Sequence, residues 1–224
     1  DKYYKEFSTG MACQASLHKD LNFNYRAHWH NEIELTLVCE GSIGMGINSD
    51  FVVLKKNDIA ICTSGCIHYY EASQSSSMII IVFRPELIKS IISIPANTTF
   101  IYPFLNEDSL KILGIKPETM DSIRSCFYKI YNEQIAKEGH YQPLIKSYLV
   151  QIMGLLLRHI PRCYVNPNVN YKGALKHVEK VQKAIQYIEE NYTENITLEE
   201  ISQQIGLSPF YMSKIFKIAY RPDF

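Results

Sequence analysis

Up to about residue 116 the chain is a series of short runs dominated by β-forming residues, and beyond Pro117 its apolar residues recur at helical spacing. The β-like runs cover residues 11–17, 33–40, 42–48, 58–62, 68–71 and 78–83, each bounded by Gly, Asn, Asp or Ser. Asn48-Ser49-Asp50 suits a hairpin connection between a strand ending at Ile47 and one starting at Phe51. Many short strands in series, with no helix between them, predict an antiparallel barrel or sandwich.

In the second half, Met120, Ile123, Phe127, Ile130 and Tyr131 fit one helical stripe, and Leu144, Ile145, Tyr148, Leu149, Ile152, Leu155, Leu156 and His159 fit another. Gly139 lies between them and is the expected break, giving two antiparallel helices. Val150, Met153 and Leu157 widen the apolar arc of the second helix. Such a helix is either enclosed within one chain or covered by a partner, so two uses are open: a core element, or a dimer surface resting on the barrel. Pro167 and its Asn-rich neighbours then read as a linker. A third helix is predicted over residues 174–192, with Val178, Val181, Ala184, Ile185 and Ile188 on one face.

The last segment carries explicit stop and start signals. Thr197 and Glu200 form a capping box, Gly206 suits the left-handed residue that ends a helix, and Ser208-Pro209 opens another. Helix, Gly-containing turn and helix make a helix-turn-helix, with Ile196, Leu198, Ile201, Ile205, Leu207, Met212, Ile215 and Phe216 packed inside.

Composition narrows the class. With 224 residues, 46% hydrophobic and 21% charged, the chain can bury a core and is neither fibrous nor disordered. Its longest apolar stretch, Met78 to Phe83, is far too short to cross a bilayer, and the first residues lack the apolar centre of a signal peptide. A cytoplasmic protein without membrane contact is therefore expected. Six scattered cysteines fit a reducing compartment; the Cys62/Cys66 spacing is a weak zinc signal without a second pair, and core packing is the expected role. Lys plus Arg and Asp plus Glu are equal at 23 each, which argues mildly against strong DNA binding by this polypeptide alone.

The densest chemistry lies in His28-Trp29-His30-Asn31-Glu32-Ile33-Glu34, with Gly41 after six intervening residues and His68 further on. On a strand His28 and His30 share a face, and Glu34 joins them if no bulge intervenes. Three imidazoles and a carboxylate suit a divalent transition metal such as iron, manganese, nickel or zinc, with positions left for a ligand. The same side chains could instead line an organic-ligand pocket, in which case Thr36 and Val38 join them on the even-numbered face of the strand. On the next strand Met45 and Ile47 would face inward, since the turn at Gly41 can reset the register. This two-part pattern resembles the cupin signature, whose barrel places three imidazoles and a carboxylate around one metal ion. Asp58 and Gly65 stand where that pattern has them, whereas Asn57 replaces its usual Gly, Thr63 its Pro and Ala72 its final Asn.

Together with "ITLEEISQQIGLSPFYMSKIFK", the barrel motif makes the chain similar to the AraC/XylS family of transcriptional regulators along nearly its whole length. The resemblance implies a cytoplasmic regulator, not an enzyme, that binds a small effector, commonly a sugar, dimerises through helices beside the barrel and reads DNA through two helix-turn-helix units. By position in the motif, Ser208, Phe210, Tyr211, Ser213, Lys214 and Lys217 would face a major groove. Only one such unit precedes Phe224, so weakened DNA binding is expected. The full expectation is an α+β chain: a cupin-like antiparallel β-barrel (double-stranded β-helix) over 1–116, a dimerising helix pair over 117–162, a linker over 163–173, and a partial DNA-binding domain over 174–224. The competing expectation is a metal-dependent cupin enzyme, an oxygenase or isomerase, with His28, His30, Glu34 and His68 holding the ion.

Overall fold

The structure is a computed structural model that describes residues 12–19, 24–48, 50–72, 75–94, 98–164 and 196–209, with single positions 183, 184, 187, 188, 191 and 212. Its first eight strands are β1 (Cys13–Lys19), β2 (Asn24–His28), β3 (Ile33–Glu40), β4 (Ser42–Ile47), β5 (Asp50–Lys55), β6 (Ile59–Cys62), β7 (His68–Ala72) and β8 (Ser77–Phe83). They form two antiparallel sheets in the orders β1-β8-β3-β6 and β2-β7-β4-β5, the first extended at its edge by β10 (Phe104–Leu105). Consecutive strands change sheet at every step except the β4–β5 hairpin, which is the jelly-roll arrangement of cupins. The antiparallel barrel or sandwich expected from the strand pattern is what the chain adopts.

Parity explains why the central strands are apolar throughout. On β3, Ile33, Leu35 and Leu37 belong to one buried cluster, while Val38 belongs to another on the opposite face. The same split runs through β6, with Ile59 and Ile61 against Ala60 and Cys62, and through β8, with Ile79 and Ile81 against Met78 and Ile80. One cluster fills the space between the sheets and includes Ile43, Met45 and Ile47, the inward odd positions expected on β4. The other lies outside the first sheet and is shared with helices. A sheet covered on both faces needs runs of Ile, Leu and Val, and only its interior polar residues interrupt them.

Gly41, between β3 and β4, has φ +69°, and a Cβ there would lie 2.7 Å from the Ser75 carbonyl oxygen, so a side chain meets both backbone strain and a fixed obstacle. The next turn is tight, with Ile47 opposite Asp50, and Asn48 takes the left-handed φ of +54°. Asn57 is left-handed as well, at φ +75°, which accounts for the glycine usual at that place in the cupin pattern; Asn tolerates this region better than most residues.

Three helices cover the first sheet's outer side. α1 (Glu107–Leu113) is bracketed by an Asn106/Ser109 capping box and by left-handed Gly114. α2 (Pro117–Ala136) buries Met120, Ile123, Cys126, Phe127 and Ile130, and α3 (Tyr141–His159) buries Ile145, Leu149, Ile152, Met153 and Leu156. These are the expected stripes, and they meet the outer face of β3, β6 and β8 in a single cluster. Val150, Leu155 and Leu157 are also partly buried against it, so much of the wide arc of α3 is covered within the chain. The break differs in detail from the expected one: Lys137 and His140 carry the left-handed φ values, +47° and +64°, and Gly139 does not. Arg124 of α2 ties this layer to the barrel by donating to the Asn57 carbonyl at 3.0 Å.

Past α3, the first residues of the expected linker region form a strand. β11 (Arg162–Tyr164) pairs antiparallel with β9 (Thr98–Phe100). Of the helix expected over 174–192, positions 183, 184, 187, 188 and 191 are helical, and the others lie outside the described residues. Ala184, Ile201 and Met212 make a third, separate core.

Candidate functional site

The first sheet contributes Glu34, from β3, and the second contributes His28, at the end of β2, and His68, at the start of β7; His28 and His68 are cross-strand partners. His30 sits in the turn between β2 and β3. One ligand atom from each of these four residues lies within 4.8 Å of every other, so the structure brings the whole predicted set together. Glu34, His30 and His68 are buried and His28 is partly exposed, which makes the His28 side the open edge of the cluster.

Hydrogen bonds orient two of the imidazoles. His68 Nδ1 is 3.0 Å from the Cys66 carbonyl oxygen and His30 Nδ1 is 3.2 Å from that of Glu32. A carbonyl only accepts, so each Nδ1 carries a proton and each Nε2 is turned toward Glu34. His30 Nε2 lies 3.3 Å from Glu34 Oε2 in hydrogen-bonding alignment. His68 Nε2 lies 3.3 Å from Oε1, yet it has no aligned hydrogen-bond partner. A neutral ring there would point a lone pair at a carboxylate, and a cation at the cluster, either a proton on Nε2 or a metal ion held by the four donors, removes the conflict. Burial opposes charge on His68, but the Glu34 carboxylate and the bond to Cys66 outweigh it and hold its pKa above the ordinary value. Burial likewise works against the Glu34 charge, and the two imidazoles prevail, keeping its pKa well below the usual carboxylate range. Backbone-anchored imidazoles, a buried carboxylate and an orphaned Nε2 fit a divalent transition ion. His28, His30, Glu34 and His68 would hold it, and when bound it would supply open positions for a ligand's oxygen or nitrogen.

Of the other predicted lining residues, Thr36 is two positions along the same face of β3 and is fully buried. Val38 is on that face too, but four residues from Glu34, or about 13 Å along the strand; it belongs to the apolar end of the interior with Met45 and Met78. The structure therefore does not bring Val38 to the four donors. Cys62 is opposite Glu34 in the ladder, and burial followed by the Glu34 charge pushes its thiol pKa well up, so it stays protonated and apolar. Cys66 is in the same apolar cluster.

Tyr70 is a site residue that the sequence reading missed. Its hydroxyl donates to Glu34 Oε1, and the Thr36 hydroxyl is 2.6 Å from it. The available signal was parity, since Tyr70 lies two residues after His68 on one strand. A second polar group, His18 between Ser16 at 2.8 Å and Tyr25 at 3.2 Å, continues from the edge of the Tyr70 ring, which is 5.9 Å from Tyr25. An open surface groove of about 570 Å³, bordered by Arg158, His159 and Arg162, shares no residue with these groups.

The candidate DNA reader is described in part. α4 (Leu198–Gln204) starts at Thr197, whose Oγ1 accepts from Glu200 N at 3.2 Å while Glu200 Oε2 accepts from Thr197 N at 2.8 Å. It ends with Leu207 N donating to Ser202 O and Gly206 N to Gln203 O, at a Gly206 φ of +66°. Both termini are those expected from the sequence. Replacing Thr197 with alanine should cost this helix about 1 kcal/mol. Thermal unfolding followed by circular dichroism checks this, and Thr197→Ser should restore most of the loss. Ser208 is exposed at the turn, whereas Phe210, Tyr211, Ser213, Lys214 and Lys217 lie outside the described residues.

A jelly roll with a converging polar centre, followed by a helix-turn-helix, defines a protein that couples a ligand-binding domain to a DNA-binding one. The family described as AraC-like ligand binding domain matches residues 16–152, and bacterial regulatory helix-turn-helix proteins, AraC family, match residues 188–220. The chain belongs to the AraC family of regulators. It is 26% identical over 102 residues to the regulatory protein PocR of Salmonella typhimurium LT2, an alignment that covers 45% of this chain and 33% of PocR, so the match spans about a third of that relative. Among solved structures, an RmlC-like cupin from Shewanella frigidimarina aligns over 33% of this chain and 68% of its own, with 16% identity and a TM-score of 0.32. KdgF from a Halomonas species aligns over 34% and 75%, with 17% identity and a TM-score of 0.31.

Proposed function

We propose that this chain senses a small molecule at the polar centre of its jelly roll and passes the result to DNA through the helix-turn-helix segment. The observation that carries this reading is the convergence of His28, His30, Glu34 and His68 inside the jelly roll, open at the His28 edge, on the same chain as the capped helix α4. In this reading the four donors hold a divalent transition ion, Thr36 lies beside them, and the effector reaches the ion from the His28 side. A sugar or another hydroxylated compound suits the hydroxyl and imidazole groups of Ser16, His18, Tyr25 and Tyr70 that continue the polar wall.

The division at 1–116, 117–162, 163–173 and 174–224 is proposed to separate sensing, dimerisation, connection and DNA reading. Support for a dimer comes from exposed Ile135 and Leu144, which flank the α2–α3 turn and are left uncovered by the chain's own core. Ser208, Phe210, Tyr211, Ser213, Lys214 and Lys217 are the proposed DNA contacts, on motif position. Effector binding would act by shifting the population of arrangements the readers adopt on DNA. Nothing in the site calls for turnover, and the protein is proposed to be cytoplasmic.

Calorimetric titration of the Co²⁺-loaded and metal-stripped chain with a panel of sugars and hydroxylated acids tests the sensing role. Saturable heat with at least one compound, lost in His68→Leu, is the expected result. A chain that binds none of them in either state defeats it. Sedimentation equilibrium tests the dimer, which Ile135→Glu should weaken.

A further inference from the structure

We propose that Tyr70 and Thr36 form a positioning pair that withholds one oxygen of Glu34 from a metal ion held by the four-donor cluster, and so favours transition ions over harder, larger cations. The inference rests on the reading of that cluster as a metal site. Tyr70 and Thr36 each sit two residues beyond a donor on the same face of its strand, Tyr70 after His68 and Thr36 after Glu34. Tyr70, Thr36 and Glu34 are all buried, so their bonds have no competition from bulk water.

The direction of the bonds follows from counting protons. The phenol has a single hydrogen, and it goes to Glu34 Oε1. The contact between Thr36 Oγ1 and the Tyr70 oxygen, 2.6 Å long, is therefore made by the threonine proton. A one-way relay results, from Thr36 to Tyr70 to Oε1, and Oε1 has a committed donor. Glu34 Oε2 faces His30 instead, its one hydrogen-bond partner among the described residues. A carboxylate held in this way offers one oxygen. Calcium-like cations take many oxygens and often both of one carboxylate, whereas a nitrogen-rich set with a single oxygen suits first-row transition ions. Tyr70 touches no reacting group in this account; it acts through Glu34.

The experiment is a titration of the full chain with Co²⁺, followed in the visible spectrum, with Ca²⁺ as competitor. The wild-type chain should bind Co²⁺ and ignore Ca²⁺. Tyr70→Phe, which keeps the ring and frees Oε1, should weaken Co²⁺ binding about 10- to 100-fold, alter the intensity of the d–d bands and allow Ca²⁺ to compete. Thr36→Val, close in shape, should shift the same readouts in the same direction by less. Tyr25→Phe, whose hydroxyl bonds to His18 and not to Glu34, should leave the spectrum unchanged. Wild-type affinity, spectrum and ion preference in both Tyr70→Phe and Thr36→Val overturn the pair's role alone. No Co²⁺ binding by the wild-type chain overturns the metal reading and this inference together.

Discussion

Replacing Glu34 with alanine is expected to cost the metal-free fold about 3–5 kcal/mol near pH 5.5 and only about 1–3 kcal/mol at a pH above the raised His68 pKa of the fold. The two figures differ because two losses are superimposed. At either pH the Tyr70 hydroxyl loses its acceptor inside the interior, and a buried donor without a partner costs on the scale of the second figure. At the lower pH His68 also carries a proton, and without Glu34 that charge is buried unpaired. The window follows from the shifts in the two pKa values. His68 titrates above its ordinary 6.5 in the fold, so its contribution is complete below 6.5 and is lost as pH rises through the folded value. Glu34 titrates well below its ordinary 4.5, so its contribution is complete above 4.5 and is lost as pH falls through the folded value. Between these limits the pair is fully formed. Glu34→Gln separates the losses, since its carbonyl still accepts from Tyr70 but carries no charge: it should approach wild type near the higher pH and show the charge loss alone near the lower, falling between wild type and alanine. Urea unfolding at the two pH values measures both. A cost for Glu34→Ala that does not change with pH would mean that His68 and Glu34 are not an ion pair.

Much of this site was legible in the chain because its donors are close in sequence. His28, His30 and Glu34 lie within seven residues, but they do not share one strand face as parity predicted: the turn over residues 29–32 carries His30 and takes the chain from β2 in the second sheet to β3 in the first, so His28 and Glu34 meet across the interior. The two-faced burial of β8 was likewise visible as the unbroken apolar run from Met78 to Phe83, and the stripes of α2 and α3 as helical spacing. What escaped was set by long-range pairing or by short length. β2 lacks apolar alternation, since its sequence is Asn-Tyr-Arg-Ala-His, and it is held by β7, whose paired residues lie forty or more positions away in sequence. β9 and β11 have three residues each and exist only because Thr98–Phe100 finds Arg162–Tyr164 across the helix pair. α1 was bracketed by Asn106 and Gly114, but seven residues give too little periodicity to outweigh a loop reading. Parity after His68 puts Tyr70 on the inner face of β7, but only the placement of β7 opposite β3 brings its hydroxyl to Glu34. Val38 was included for the opposite reason: parity puts it on the inner face, and parity alone does not measure distance along a strand.

Phe127→Ala should destabilise the protein by about 3–5 kcal/mol while leaving the four-donor cluster unchanged in the molecules that remain folded. Phe127 is 0% exposed, in the middle of the α2 stripe. It belongs to the cluster in which α2 and α3 meet the outer face of the first sheet, where Leu35 and Leu37 of β3 also point. Removing the ring leaves a cavity between a helix and a sheet whose backbones are each fixed by their own hydrogen bonds, so little collapse can compensate. Ile112, on α1 and 66% exposed, is the control; its replacement by alanine should change stability by less than about 0.5 kcal/mol. The informative comparison lies across the strand. Glu34 and Thr36 project from β3 into the interior while Leu35 and Leu37 project toward the helices, so damage on the helical side should move the urea midpoint without moving the Co²⁺ spectrum. Co²⁺ affinity measured well below the unfolding transition, set beside the midpoint, separates the two. If Phe127→Ala disturbs the spectrum as strongly as Tyr70→Phe, then β3 transmits a change in the helix layer to the donors, and the two faces of that strand are mechanically one unit.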